Sequence, residues 1–397
     1  MEPPQVLDFL EIEVSTGCQM GCPFCYKGYT PDGPKMTPAL LADILDILPP
    51  SCHCVALGFG DVNDSVIEMF NLTKEKGFVP VTTINGVGLT PALAECLATT
   101  CQTVAISCYN SLETPLRAAR DLIARKTPEV LLCQIVAVET RQRCHDLIRQ
   151  VGSDPELAGL GALSFSVLKP SRRGATVRTA DGRIRSLPLT HAGPAGGTVA
   201  AQPEGKQGQP RTPIDDPEFF AQLTKECSDA GIAVSFDNCA PGQLRHAIQH
   251  TLLEKEHWYS QTEADRLLAG LDGCQGCFTT GYINVHADFF PCTFIEGWGA
   301  WERGISLEPL LARLPNRRSP PDPAAAPADE DLPPPPPIGT PSAGSPDAEA
   351  QRRALWDRWL WDHPRVRAFR KEAEGTATTD RPYRRCLAYG RPALTDW

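Results

Sequence analysis

Two periods of apolar and polar positions exchange along the first half of the chain. Residues 9–15 set Leu10, Ile12 and Val14 against Glu11, Glu13 and Ser15, the period of two expected of a strand with one apolar face. Thr37-Pro38 then opens a run in which Leu41, Ile44, Leu45 and Leu48 recur at helical spacing, capped by the threonine and stopped by Pro49 and Pro50. The exchange repeats: strands are predicted at 55–57, 79–84, 103–107, 130–138 and 163–168, with helices at 64–76, 90–99, 111–125 and 140–151. Strands that alternate with helices form right-handed βα units on a parallel sheet, so the fold class is α/β.

Beyond 170 the pattern changes. Residues 171–212 are rich in Gly, Arg and Pro and read as a mobile loop, with 186–213 as the boundary between two domains. A helix at 217–230 and a strand at 232–236 follow, then a β-hairpin with Asp288 near its turn. Residues 315–348 carry the proline run 333–337 and are expected to be a disordered insertion. A helix containing Trp356, Trp359 and Phe369 closes the chain across 349–397, its aromatic stripe a docking face.

Composition narrows the class. At 397 residues the chain exceeds one typical core, which predicts a large domain and a smaller one. Lys and Arg total 38 against 48 Asp and Glu, a formal charge of −10, which argues against a nucleic-acid backbone as partner. The first residues lack the features of an export signal and no apolar run reaches membrane-spanning length, so a cytoplasmic protein with no membrane partner is expected. Sixteen cysteines are then reduced thiols and metal ligands rather than disulfides. Cys96, Cys101, Cys108, Cys133, Cys144 and Cys227 fall in apolar or helical stretches and read as buried small hydrophobes. Cys52 and Cys54 flank His53 at a strand entrance, where side chains one residue apart point to opposite faces, and are read as structural.

Cys18, Cys22 and Cys25 stand apart from these. They occur in Thr-Gly-Cys-Gln-Met-Gly-Cys-Pro-Phe-Cys-Tyr, in the loop after the first strand. Soft thiolates grouped this tightly select zinc, copper or an iron–sulfur cluster. A structural zinc wants four closed ligands, and no fourth lies nearby, so one metal position is left open for chemistry.

The spacing Cys-x3-Cys-x2-Cys, with Phe24 before the last cysteine, resembles the signature of the radical S-adenosylmethionine (SAM) superfamily. The resemblance implies that Cys18, Cys22 and Cys25 hold three irons of a [4Fe–4S] cluster while SAM chelates the fourth. Reductive cleavage of SAM then gives a 5′-deoxyadenosyl radical that abstracts hydrogen from a substrate. It also implies an open, TIM-like partial (βα)6 barrel, here at about 1–185, with its site at the carboxyl ends of the strands. Phe24 would line the adenine. Gly58-Phe59-Gly60-Asp61 is similar to the Gly-Gly-Glu-like turn that grips the methionyl ammonium, with Asp61 where Glu is commoner, which leaves that contact to the backbone. Asn85, in Thr82-Thr83-Ile84-Asn85-Gly86, resembles the family's Thr-Asn-Gly turn, and Ser107 sits where the family places a polar contact to SAM. Lys169-Pro170-Ser171-Arg172-Arg173-Gly174 is like a Lys-Pro-x-Gly-Arg-Gly segment of one subgroup, whose Arg forks match a carboxylate.

A second cysteine set flanks the predicted hairpin. Cys274 and Cys277 precede it and Cys292 follows it, an arrangement that resembles the twitch or SPASM module and its auxiliary [4Fe–4S] cluster, here within 214–314. Cys239 and Cys386 are candidates to close the ligand set. The subgroup resemblance favours Cys239, Cys274, Cys292 and Cys386, whereas local spacing favours Cys274, Cys277 and Cys292. A zinc ion suits four thiolates equally well.

By analogy with such modules the expected activity is that of a maturase acting on a peptide or small molecule, fed by a flavodoxin- or ferredoxin-like electron donor. The alternatives are a radical SAM enzyme of cofactor or nucleoside biosynthesis, and a non-catalytic iron–sulfur or zinc protein that senses redox state or binds a partner.

Overall fold

The computed structural model describes residues 6–169 (except 62 and 110), 172, 176–178, 184–186, 212–249 (except 215, 238 and 240), 273–324 (except 298 and 299), 350, 354 and 356–377. In chain order the first half reads β1 (Phe9–Glu13), α1 (Pro38–Ile47), β2 (Cys54–Gly58), α2 (Ile67–Glu75), β3 (Val79–Ile84), α3 (Pro91–Thr100), β4 (Thr103–Ser107), α4 (Glu113–Ala124), β5 (Glu129–Val136), α5 (Arg141–Ser153) and β6 (Ala162–Val167). A short antiparallel pair, β7 (Thr176–Arg178) and β8 (Ile184–Ser186), lies within the stretch expected to be a mobile loop. Then come α6 (Pro217–Asp229), β9 (Val234–Phe236), α7 (Pro241–Ala247), β10 (Thr280–Ile283), β11 (Asp288–Phe290), β12 (Ile305–Ser306), α8 (Glu308–Leu311) and α9 (Pro364–Glu374).

One ten-stranded sheet runs β12-β11-β10-β1-β2-β3-β4-β5-β6-β9. From β10 to β9 every neighbour is parallel, and only β11 runs against the rest, antiparallel to both β10 and β12. The sheet is therefore a larger parallel array than the six strands predicted. Its surplus comes from both edges: β9 pairs with β6, and β10 pairs with β1 from Phe9↔Thr280 to Ile12↔Ile283. The hairpin assigned to a separate C-terminal module thus extends the main sheet.

Helix starts follow from sequence. The Thr37 and Thr90 side chains each accept the backbone N–H three residues on, at 3.1 and 3.2 Å, and each is followed by proline at the first helical position, where a missing N–H costs nothing. One sheet face carries Leu10, Ile12, Val55, Leu57, Val104, Ile106, Val130, Leu132, Leu163 and Phe165, all essentially inaccessible. Burying each contributes roughly 1.5–3 kcal/mol before entropy is counted, which specifies the register of the strands that carry them. The opposite face alternates with it and stays partly open, as at Ala56, Val81 and Leu131.

Two sequence expectations change on the C-terminal side. The Trp helix is two elements, a π-helical turn Trp356–Trp361 and α9, separated where Pro364 cannot continue the first. Trp356 and Trp361 sit edge-on to Phe289, centroids 6.3 and 6.1 Å away, so the aromatic stripe does dock on the hairpin. Arg318 and Ser319, near the start of the stretch expected to be disordered, are held on α1: Asp43 accepts from the Ser319 N–H at 2.8 Å, from its hydroxyl at 2.7 Å and from Arg318 N–H groups. The rest of that stretch, 325–348, lies outside the described residues. Among the described residues, no helix is long and apolar enough to cross a membrane.

Candidate functional site

The half-open face of the sheet and the loop after β1 enclose a cavity of about 620 Å³. Small residues on the strands, Ala56, Gly58 and Ala105, leave that volume free, while Val81 and Ile135 keep its walls apolar. Cys18, Cys22 and Cys25 all border it, as do Phe24, Gly58, Phe59, Gly60, Asn85 and Ser107; Asp61 does not line it.

Backbone pairing holds both legs of the cysteine loop. The Cys18 N–H donates to the Thr30 carbonyl at 2.9 Å, Met36 N–H to Val14 O at 2.9 Å, and the Asp61 N–H to Gly17 O at 2.9 Å. Gly60 is required by this closeness: a Cβ there would fall 2.4 Å from the Cys18 Cβ and 2.4 Å from the Gly17 oxygen. The Asp61 carboxylate accepts from the Gln19 N–H at 2.7 Å and from Asn85 Nδ2 at 3.4 Å, and Asn85 also donates to Gly60 O at 3.2 Å. Asp61 and Asn85 therefore fasten the turn after β2 to the cysteine loop.

Burial pushes the Cys18 thiol up to about 12, and the nearby Asp61 adds to the rise. Such a thiol becomes a thiolate when a metal replaces its proton, so the donor set fits a soft metal centre. Among the described residues no three His, Cys, Asp or Glu side chains converge as in a closed metal site; the three thiols share the cavity wall instead. Phe24 packs with Ile135, Leu168, Cys22 and Tyr109, its ring edge-on to Tyr109 at 5.1 Å. Ser107 lies beside Tyr109 on the same wall.

A charged group missed by sequence reasoning underlies the loop. Lys27, its side chain 5% exposed, reaches Glu11 at 3.1 Å and Glu13 at 3.2 Å and lies 3.8 Å over the Tyr282 ring. Burial opposes the Lys27 ammonium, but Glu11, Glu13 and Glu296 outweigh it and raise its pKa. Burial likewise works against the Glu13 carboxylate, yet Lys27 and the Tyr29 hydroxyl, which donates to it at 2.9 Å, hold it below the ordinary value. Glu11 and Lys27 are the only charged residues bordering the cavity among those described. The available signal was two acids in the inward phase of β1. From the same subgroup segment as Lys169, Arg172 pairs with Glu296 at 3.1 Å and Lys169 with Asp237 at 2.9 Å.

The second cysteine set gathers below the hairpin. Cys277 is wholly buried, its thiol raised by burial with Cys292 and Cys274 adding to the rise; burial also raises the Cys292 thiol, with Cys274 and Cys239 adding. Cys274 and Cys292 thus lie within electrostatic reach of Cys277, and Cys274 and Cys239 within reach of Cys292, but the described cysteines do not converge as a metal site; Cys386 lies outside the described residues. Cys96, Cys101, Cys108, Cys144 and Cys227 are buried as expected, while Cys133 is half-buried.

No protein-family model matches the chain, and no curated protein matches it. Among solved structures, the chain is similar to Streptococcus suis SuiB bound to precursor peptide SuiA, with a TM-score of 0.50 at 13% identity over 76% of this chain and 64% of that one. SuiB alone gives a TM-score of 0.50 at 12% identity over 75% and 64%. Native anSMEcpe with bound AdoMet and Cp18Cys peptide gives 0.44 at 14% over 74% and 76%. The match thus spans 64% of the SuiB chain. At these identities the likeness is one of fold: a mixed α/β chain on a large parallel sheet.

Proposed function

We propose that the chain is a radical SAM enzyme with a peptide substrate. The observation that carries this reading is that three thiols of one loop open together onto a mostly apolar cavity beside the glycine turn after β2. Its 620 Å³ lies within the range of small-molecule sites. When bound, the cluster and SAM supply an electron to the sulfonium and a 5′-deoxyadenosyl radical that removes hydrogen from an unreactive carbon.

The chain's own part is to hold and to shield. Cys18, Cys22 and Cys25 would bind the irons of a [4Fe–4S] cluster. Phe24, steadied by Tyr109, offers an aromatic wall to the adenine. The turn from Gly58 to Asp61 would hold the methionyl group through its backbone, since the Asp61 carboxylate is engaged by Gln19 and Asn85. Ser107 would add a polar contact, and the apolar inner face keeps water away from a reactive species.

A second metal, an iron–sulfur cluster or zinc, would be held by Cys239, Cys274, Cys277 and Cys292, with Cys386 as a further candidate. The fold likeness to SuiB, which is seen bound to a precursor peptide, supports a peptide substrate. A flavodoxin- or ferredoxin-like protein would supply electrons, and the abundance of thiols suits a reducing compartment such as the cytoplasm. Anaerobically reconstituted protein given dithionite and SAM is expected to release 5′-deoxyadenosine, and Cys18→Ala to release none. A Cys22→Ala chain that cleaves SAM at the wild-type rate would overturn the reading.

A further inference from the structure

Two carboxylates share one ammonium beneath the cavity. Lys27 meets Glu11 at 3.1 Å and Glu13 at 3.2 Å. Glu13 is nearly inaccessible and also accepts from the Tyr29 hydroxyl, so Lys27 and Glu13 make an enclosed pair with no net charge. Glu296, which also acts on Lys27, has a cation of its own in Arg172 at 3.1 Å. Among the described residues Lys27 is the one ion-pair partner of Glu11. Glu11, Glu13 and Lys27 together therefore carry a negative charge in excess.

That charge meets the cavity through Glu11. Its side chain is 24% exposed against 4% for Glu13, and Glu11 borders the cavity while Glu13 does not. On β1 it stands opposite Ala56 of β2, and its Oε1 would lie 3.3 Å from a Cβ on Gly58, so the small residues of β2 leave the carboxylate open. Phe9, Phe24, Tyr26 and Tyr109 are among the aromatic side chains on the same walls, and ring faces attract cations. Solvent reaches Glu11 through the open cavity. Once a ligand drives that solvent out, a carboxylate on a mostly apolar wall is costly unless a cation meets it.

We infer that the substrate brings a cationic group, a primary ammonium or a guanidinium, into this cavity, and that Glu11 is the residue that selects it. An anion would be repelled by the excess charge, and a neutral group would leave that charge uncompensated. SAM is itself a cation, but its proposed seat is the cysteine loop and the turn from Gly58 to Asp61. The cavity runs on past Glu11 to Phe9, Cys54 and Thr103, the first residues of β1, β2 and β4. The inference rests on the reading of the chain as a radical SAM enzyme with a peptide substrate, and it narrows that substrate to one presenting a lysine or arginine side chain or a free amino terminus.

The test uses the anaerobically reconstituted full chain, with n-butylammonium, n-butylguanidinium, n-butanol and butyrate as probes in ligand-observed NMR titrations at saturating SAM. The parent is expected to bind the two cations about tenfold more tightly than n-butanol, and butyrate more weakly than either. E11Q, which leaves Lys27 its pair with Glu13, should lose about that tenfold on the cations and hold n-butanol within about twofold of the parent. Should E11Q not fold, E11D, which withdraws the charge by one methylene, is read in its place: the cations should weaken and n-butanol should not. Equal weakening of cations and n-butanol in the variant, or a parent with no preference for the cations, would overturn the inference. So would a parent in which SAM displaces n-butylammonium, since the carboxylate would then serve SAM. A parent that releases 5′-deoxyadenosine from SAM yet shows no cation preference would sink this inference alone, whereas one that prefers cations through Glu11 and never cleaves SAM would sink the enzyme reading.

Discussion

Cys18, Cys22 and Cys25 border open volume, whereas Cys239, Cys274 and Cys292 pack against the main apolar core and Cys277 lies within it. The first set sits on a loop fastened by backbone hydrogen bonds and by the Asp61 and Asn85 side chains, with a cavity in front of it. The second is wedged between β10, β11 and α9, where even Gly276 has the Phe369 ring 3.4 Å from where a Cβ would stand. Thiols of the same chemistry are thus placed for different ends. Open volume lies beside the first three thiols, whereas near the second set the Phe290, Trp301 and Phe369 rings pack on one another.

The sharpest way to break the contrast is to take away the ion beneath the first set, which also lies over the Tyr282 ring of β10. K27M leaves the buried Glu13 and the half-buried Glu11 carboxylates without their cation, and breaking a buried pair from one side costs about 3–5 kcal/mol. Urea unfolding should record that loss, and iron should disappear from the N-terminal loop before the second set loses metal. Smaller is the expected effect of G60A, whose methyl must displace Cys18; overpacking of this kind costs about 2 kcal/mol. Metal analysis should show the N-terminal cluster depleted and the second centre at its parent occupancy, and equal loss from both would erase the distinction.

Least in size, and touching neither set, is D43N. Asp43 is fully buried; burial opposes its charge, but the Ser319 and Arg318 hydrogen bonds prevail and hold its pKa below 3.8. A depressed folded-state value means the stabilisation is complete above pH ~4 and lost as pH falls through that lower value. D43N should therefore cost about 1.5 kcal/mol at neutral pH, and unfolding curves should show the gap from the parent narrowing below pH ~4.

Local chemistry explains how much of this was legible beforehand. The alternation of Leu10, Ile12 and Val14 with Glu11 and Glu13, and the Thr-Pro helix starts at 37 and 90, encode elements within a few residues, and the structure follows them. The cysteine loop announced itself by ligand type and spacing. Contacts between distant segments left no such trace: Lys27 over Tyr282, Ser319 on Asp43 and Arg370 on Cys277 join residues 93 or more positions apart. The edge pairing of β10 with β1 was hidden for the same reason, since period two predicts a strand and says nothing of its neighbour. Period two puts Glu11 and Glu13 on the polar side of β1 and cannot tell an inward cavity from a water-facing surface, since both tolerate charge.

The central claim is that the metal centre on Cys18, Cys22 and Cys25 keeps one position for SAM. Electron paramagnetic resonance of the reduced, anaerobic chain carrying Cys274→Ala and Cys292→Ala isolates that centre. A cubane signal whose shape changes when SAM is added is the predicted result. No cubane at the N-terminal loop, or one indifferent to SAM, would contradict the account.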